Sequence, residues 1–202
     1  LHPGPGLANG ISNLHNARKA STPIINLVGD HADYHRKYDS PLNSDIIALA
    51  RNVSSWIKSD STAMSLSSDV IEALNSAINP KPRPDGQIST LIIPANAAWE
   101  EGTDTARSSE SQGRKQISKN KIDEMAKQID SECLILLGSD GLSLAARQAA
   151  GRIAGKTKCR VAMSMFSEKI EHGFGLPVSE RLPYFPEHVM AFLKGVKKIV
   201  LA

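Results

Sequence analysis

Ser21-Thr22-Pro23-Ile24-Ile25-Asn26-Leu27-Val28-Gly29-Asp30-His31 is the stretch that decides the fold. Proline disfavours helical geometry in the residue before it, so the helical spacing of Leu7, Ile11 and Leu14 must run out ahead of Pro23, which predicts a helix over 7–20. The apolar run 24–28 then predicts a short buried strand, with Gly29-Asp30-His31 as the loop at its carboxyl end. Helix, strand and loop in that order belong to an open α/β sheet, where ligands lie beyond the carboxyl ends of the strands.

The same alternation continues downstream. Asn43 or Ser44 is placed to cap a short helix carrying Ile46, Ile47 and Leu49, and Val53 to Ile57 reads as a strand. Ser67 or Ser68 is placed to cap a helix with Val70, Ile71, Leu74 and Ile78 on one face. Residues 79–86, NPKPRPDG, must be a loop, and Ile88 to Ile93 is a strand ended by Pro94. Residues 100–120 contain one large aliphatic side chain, Ile117, too little to pack, so they read as a polar linker. Beyond it come a helical face (Ile122, Met125, Ala126, Ile129), a strand (134–137), an Ala-rich helix (142–154), a strand (161–165), a helix (185–193) and a last strand (199–202). That order, β-α-β-α-β, predicts a parallel sheet with right-handed crossovers. The expected fold class is α/β, with two modules of mostly parallel sheet flanked by helices, 1–100 and 121–202, joined by a linker over 101–120.

A length of 202 residues suits one or two units of about 100 residues each. The net charge of +3 comes from 24 basic and 21 acidic residues without a block of like charges, so no nucleic-acid partner is expected. No apolar run nears the ~20 residues that span a bilayer, and the first twenty residues lack the apolar core of a signal peptide, so no membrane partner is expected. Cys133 and Cys159 are the only cysteines and form no C-x-x-C; a reducing, cytoplasmic location is expected. A start at Leu1 without an initiator Met, and an end directly after the apolar run 199–202, lead us to expect a fragment.

Several stretches carry chemistry. Gly4-Pro5-Gly6 lets a backbone approach a ligand closely, and Asn9 offers both a donor and an acceptor; equally, the triplet reads as a turn and Asn9 as a helix cap. His2 is the side chain near this turn able to move protons at neutral pH. Asp30, His31, Asp33 and His35 lie close in sequence, but HRKYD argues against the helix that would aim His31 and His35 at one metal ion, and no third ligand is evident. No metal site is therefore expected. Gly138-Ser139-Asp140-Gly141 stands where a Rossmann fold puts its phosphate turn, without the G-x-G-x-x-G spacing; a plain strand-to-helix turn fits as well. Glu171-His172-Gly173-Phe174-Gly175 reads as a solvated connector, and no Gly-x-Ser-x-Gly marks a hydrolase nucleophile.

These residues resemble a known family. GPGLAN (4–9) is similar to the GPGATN turn of the thiamine-diphosphate-dependent superfamily that contains acetolactate synthase, benzoylformate decarboxylase and pyruvate decarboxylase. TPIINLVG (22–29) resembles that family's next strand, and ISTLIIPANAAW (88–99) the strand closing its pyrimidine-binding domain. Leu1-His2, Asn9, Leu14, Asn16-Ala17 and Pro23 look like the benzoylformate decarboxylase pattern in gapless register. The resemblance implies the back part of a pyrimidine-binding domain over 1–100 and the front part of a Rossmann-like middle domain over 121–202.

It also implies roles. His2 would transfer protons, and Gly4, Pro5, Gly6 and Asn9 would line an aminopyrimidine pocket together with Gly29, Asp30 and His31, where the family often has Gly-Gln. The cofactors implied for the full-length parent are thiamine diphosphate and Mg²⁺, with FAD possible in the middle domain. The implied partners are a small 2-oxo acid substrate and further copies of the chain, as homodimer or homotetramer. The essential Glu expected upstream of the turn is not in this sequence. Nor is the Gly-Asp-Gly motif with a later Asn that holds diphosphate and metal, since no Asn follows residue 120. The isolated chain is therefore expected to be inactive. The alternative is a non-catalytic α/β module that binds FAD or ADP.

Overall fold

A computed structural model describes residues 1–78, 87–102, 105–107, 116–167, 169–173 and 175–202. The loop expected over 79–86 lies outside them, as does part of the expected linker. The chain forms two compact units, Leu1–Gly113 and Arg114–Ala202, and the division falls inside the span read as linker.

Unit 1 begins with α1 (Pro5–Ala20) and β1 (Ile24–Asp30), followed by α2 (Ile46–Arg51), β2 (Trp56–Lys58), α3 (Leu66–Ile78), β3 (Ile88–Pro94) and the short α4 (Ala95–Trp99). The three strands form a parallel sheet in the order β1-β3-β2. β3 is central because it is the most apolar: six of its seven residues are buried, whereas the edge strand β1 alternates. Leu7 and Leu14 of α1, Ile46 and Ala50 of α2, Val53, Val28, Ile88 and Ile92 close one core on one face. Fully burying each of the larger aliphatic side chains here contributes roughly 1.5–3 kcal/mol. α3 covers the other face, where Lys58 reaches Asp69 at 2.8 Å and Glu72 at 2.9 Å. The polar residues inside the sheet are matched by register. Asn26 lies opposite Thr90 and donates to its hydroxyl at 3.1 Å, and Ser54 shares that hydroxyl at 2.7 Å.

The local caps differ from the expected ones. α2 is capped by Asp45, which accepts the Ala48 N–H at 2.9 Å, while Ser44 is taken up elsewhere. The strand expected over 53–57 begins at Trp56, because Val53 and Ser54 both donate to the Ala50 carbonyl and finish the turn out of α2. α3 starts ahead of Ser67 and Ser68. Thr62 and Ser65 exchange backbone-to-hydroxyl bonds at 3.1 Å in each direction, a reciprocal cap that the string of serines conceals.

Unit 2 runs α5 (Lys119–Ala126), β4 (Cys133–Leu137), α6 (Leu144–Thr157), β5 (Arg160–Met163), β6 (Glu180–Arg181), α7 (Pro186–Phe192) and β7 (Lys198–Leu201). Its four strands are parallel in the order β6-β5-β4-β7, with β6 an addition that two residues of sequence do not announce. Its core joins Cys133, Ile135, Leu137, Leu142, Ala150, Cys159 and Met163. α5 takes in Lys119 and Asn120 from the expected linker and ends before Ile129, which packs on this core from a turn. The α/β class with parallel sheets flanked by helices is as expected. Among the described residues, no helix is long and apolar enough to cross a membrane.

Candidate active site

The carboxyl ends of β1 and β3 in unit 1 open on a cavity of about 660 Å³. Its floor is apolar, from Leu27, Ile93, Pro94, Ala95, Ala98 and Trp99, and its rim carries His2, Gly29, Asp30, His31, Tyr34 and His35.

Backbone pairing brings His2 there. The Leu1 N–H donates to the Leu27 carbonyl at 2.6 Å and the Leu1 carbonyl accepts from Gly29 N–H at 2.9 Å, so Leu1 lies along β1 like a residue of a parallel strand. His2 thereby emerges beside the end of β1. Gly6 keeps the space open, because a Cβ there would stand 2.8 Å from the His2 Cβ. Gly4 serves a different contact. It caps α1 at φ 50°, and a Cβ would meet the Ser44 Oγ at 1.9 Å.

The loop after β1 carries the other histidines. Asp30 accepts the His31 N–H at 2.7 Å, His35 N–H closes a turn on the Ala32 carbonyl at 2.7 Å, and a 3₁₀ turn follows at Arg36–Tyr38. The rings of His31, His35 and Tyr38 form a tilted series, with centroids 5.7 and 5.6 Å apart. The buried His31 Nε2 has no partner among the described residues. Arg36 fixes this loop by three ion pairs, to Asp30 at 3.0 Å, Asp33 at 3.2 Å and Asp60 at 2.7 Å. The guanidinium, joined by the Ser59 hydroxyl, holds the Asp60 carboxyl below its usual range. Asn96 of α4 accepts the Asp33 N–H at 3.1 Å and ties the loop to the far wall.

The structure thus brings His2, Gly29, Asp30 and His31 to one cavity. Asp30 is engaged by Arg36 and by the His31 amide, so it organises the loop more than it faces a ligand. Gly4, Pro5, Gly6 and Asn9 do not line the cavity; Gly4 and Gly6 shape its edge, and Asn9 is exposed on α1. Trp99, Tyr34 and Ala98 line it without having been read as site residues. Pro94 ends the expected strand, and α4, which carries Trp99, follows it without a signal of its own. No group of three or more His, Cys, Asp and Glu able to hold a metal ion occurs among the described residues.

The other strand-end turn, Gly138 to Gly141 in unit 2, fits a dinucleotide poorly. A Cβ on Gly141 would lie 2.7 Å from the Ala202 carbonyl, and Gly138 N–H donates to that same carbonyl at 2.7 Å. These glycines accommodate the end of β7. β5 ends at Met163 and is followed by Ser164, so among the described residues no carboxylate directly follows this strand.

No family model matches the chain. A Mycobacterium tuberculosis protein provisionally named acetolactate synthase large subunit IlvX is 40% identical over 204 residues, which cover 100% of this chain and 38% of the relative. A Mycobacterium smegmatis structure, provisionally described as a thiamin diphosphate-dependent enzyme, superposes with a TM-score of 0.73 at 20% identity, over 100% of this chain and 39% of its own. The Rhodococcus jostii thiamine diphosphate-dependent 4-hydroxybenzoylformate decarboxylase gives a TM-score of 0.77 at 18% identity, with the same coverage. The two solved structures share the fold. The chain spans about two fifths of the length of each of these proteins.

Proposed function

We propose, from the premise that this chain belongs with the thiamine-diphosphate-dependent enzymes, that unit 1 forms part of the cofactor and substrate pocket of an acetolactate synthase-like 2-oxo acid decarboxylase or carboligase. The observation that carries this reading is the cavity in which His2 meets Gly29 and His31 over an apolar floor. An aminopyrimidine is a flat ring with a polar edge, and an apolar slot bordered by the bare backbone of Gly29 suits it. His2, Gly29 and His31 would hold it, and Trp99 with Ala98 would wall off water.

When bound, thiamine diphosphate supplies the electron sink that makes decarboxylation of a 2-oxo acid feasible. The chain's own groups position and protonate. His2 is exposed at the cavity mouth, where its imidazole ring can donate or accept a proton at a ring nitrogen. The Arg36 clamp, through Asp30, Asp33 and Asp60, fixes the loop that carries His31 and His35. Diphosphate and Mg²⁺ would be held by residues other than those described, so the 202 residues alone are expected to be inactive. The whole enzyme is read as a homodimer or homotetramer. The buried free thiols Cys133 and Cys159 support a reducing, cytoplasmic setting. FAD or ADP binding by unit 2 is not favoured, because the turn lacks the G-x-G-x-x-G spacing and its Gly138 N–H is already taken by the Ala202 carbonyl.

Thiamine diphosphate titrated into the chain tests the pocket. The backbone amides of Gly29 and His31 and the indole of Trp99 should shift first and together, with weak affinity. If they stay still while other surface resonances move, the pocket reading fails. Release of CO₂ from pyruvate or benzoylformate by the isolated chain would overturn the assignment of only part of a site.

A further inference from the structure

Cys133 and Cys159 are both free and both buried, and the reading of unit 1 makes no use of them. The register of unit 2 sets them side by side. β4 and β5 pair in parallel with Leu134 opposite Arg160 and Ile135 opposite Val161, so one step back along each chain puts Cys133 against Cys159. Successive side chains alternate between the faces of a sheet, which places 133, 135 and 137 on one face with 159, 161 and 163. The packing agrees. Cys133, Ile135 and Leu137 share a core with Cys159 and Met163, and Val161 packs against it.

Adjacent strands lie about 4.7–4.9 Å apart, inside the roughly 4.4–6.8 Å that separates the Cα atoms of a disulfide. Cys133 is the first residue of β4 and lies opposite Lys198 on its other side. Cys159 stands ahead of Arg160, the first residue of β5, and directly after Lys158, whose backbone is left-handed at φ 63°. Its N–H is held within its own turn, by the Thr157 hydroxyl at 3.3 Å, so that turn is where the chain adjusts to bring the sulfurs to bonding distance. A small oxidant has a way in. Cys133 lines a cavity of about 310 Å³ together with Met125, Gln128 and Lys198, at the β7 edge of the sheet, which is ample for a molecule close to the size of water. Burial pushes the Cys133 thiol up and the neighbouring Cys159 adds to this, against the Lys198 ammonium, so the pair persists as thiols in a reducing setting.

We propose that Cys133 and Cys159 are a paired oxidation site that hydrogen peroxide converts to a disulfide, stapling the crossover 133–159 that carries α6. One thiol gives up its proton and its sulfur attacks a peroxide oxygen, which forms a sulfenic acid and releases water. The second sulfur then displaces the sulfenic hydroxyl as another water, so the peroxide is reduced and the two thiols are oxidised to one disulfide. The bridge closes a loop around α6 and takes freedom from the unfolded chain, which makes unit 2 harder to open. This inference concerns unit 2 and stands apart from the cofactor reading of unit 1.

The test treats the folded chain with hydrogen peroxide, blocks the remaining thiols with an alkylating reagent and maps the unreduced digest by mass spectrometry. A peptide pair joined through Cys133 and Cys159 within one chain, released by dithiothreitol, is the expected result. Amides of β4 and β5 should then exchange several-fold more slowly than in the reduced chain, while those of β1 and β3 hold. Two thiols that stay free, a sulfinic acid at either cysteine, a bridge between two copies, or a bridge that leaves amide exchange unchanged overturns the proposal. Dilute urea separates pairing in the folded sheet from a chance meeting in the opened chain. The bridging rate should stay level as urea is raised below the unfolding transition, and a rate that climbs with urea overturns the proposal. Cys133→Ala and Cys159→Ala keep the core apolar and remove one partner each. At least one of them should accumulate a sulfenic acid that dimedone captures and that the oxidised wild type lacks; capture in neither overturns the proposal.

Discussion

Unit 1 and unit 2 both wind parallel strands with helical crossovers, yet the carboxyl edge of the first opens on a cavity of about 660 Å³ while, among the described residues of the second, the Gly138 N–H and the Leu144 N–H are taken by the Ala202 carbonyl and by Glu171. In unit 1 the polar groups at the strand ends hold one another through Arg36, and His2, His31 and His35 are among the residues that line the cavity. In unit 2 the end of β7 fills the turn after β4, and Glu171 covers the helix that follows. A shared sheet grammar thus locates where a ligand site can be, and the neighbouring loops decide whether it is open.

The sequence supplies separate reporters for this comparison. Both tryptophans, Trp56 and Trp99, lie in unit 1, and both cysteines, Cys133 and Cys159, are buried in unit 2. Tryptophan fluorescence therefore follows the opening of one unit, and thiol labelling the other. The largest effect is expected from Gly4→Ala. It places a Cβ at φ 50° and 1.9 Å from the Ser44 Oγ, with the Leu42 carbonyl 3.2 Å away, so strain and overpacking should together cost about 2–4 kcal/mol. The urea midpoint read by fluorescence should fall and the thiol labelling of unit 2 should hold. Equal shifts in both would show that the two edges are not separate features.

A smaller effect is expected from Arg36→Met. Removing the guanidinium leaves Asp30, Asp33 and Asp60 facing one another without a cation, a loss of about 1–2 kcal/mol for a partly buried network. The informative readout is local. Amides of 31–38 should exchange faster than those of β3, loosening the histidine rim of the open site. Unchanged protection there would mean that the ring series and the Asn96 contact hold the loop without the clamp.

How much of this was legible beforehand depends on the range of the interaction. Pro23, the apolar run 24–28 and the strand 88–93 are local signals, and they located β1, β3 and the helix ahead of them. Caps were misjudged where several small polar residues compete: Asp45 outdoes Asn43 and Ser44 because its carboxylate reaches the Ala48 N–H. His2, Gly29 and His31 are site residues only as the resemblance implies; the structure brings them to one cavity, His2 through the pairing of Leu1 with β1. Trp99 and Glu171 were not legible. Each depends on a placement set by tertiary packing, Trp99 of α4 at the cavity in one case and the Arg147 bond to the Glu171 carbonyl in the other. Nothing in a five-residue window encodes that.

Acid separates the two edges by the smallest expected margin, and the sign follows from the carboxylates. Asp69 in unit 1 is almost wholly covered. Burial pushes its carboxyl up, and the hydrogen bonds from Lys58, Ser65 and Ser61 together with the Lys58 charge outweigh this and leave it below the usual range. Glu171 in unit 2 is also lowered, first by Lys169 and then by the Leu144 N–H, but at the solvent surface. A carboxyl depressed in the folded state contributes stability that is complete above its unfolded value, near 4, and disappears as pH falls through the lower folded value. Both units should therefore weaken below about pH 4 and remain level between about pH 5 and 7. The fall should be steeper in unit 1, because the Asp69 to Lys58 pair is shielded and the Glu171 to Lys169 pair is screened by water. Asp69→Asn should flatten the acid limb read by tryptophan fluorescence and leave that of thiol accessibility alone. A limb that keeps its slope in Asp69→Asn would assign the acid sensitivity of unit 1 to Asp60 and the Arg36 clamp instead, and with it the part of the fold that holds the site open.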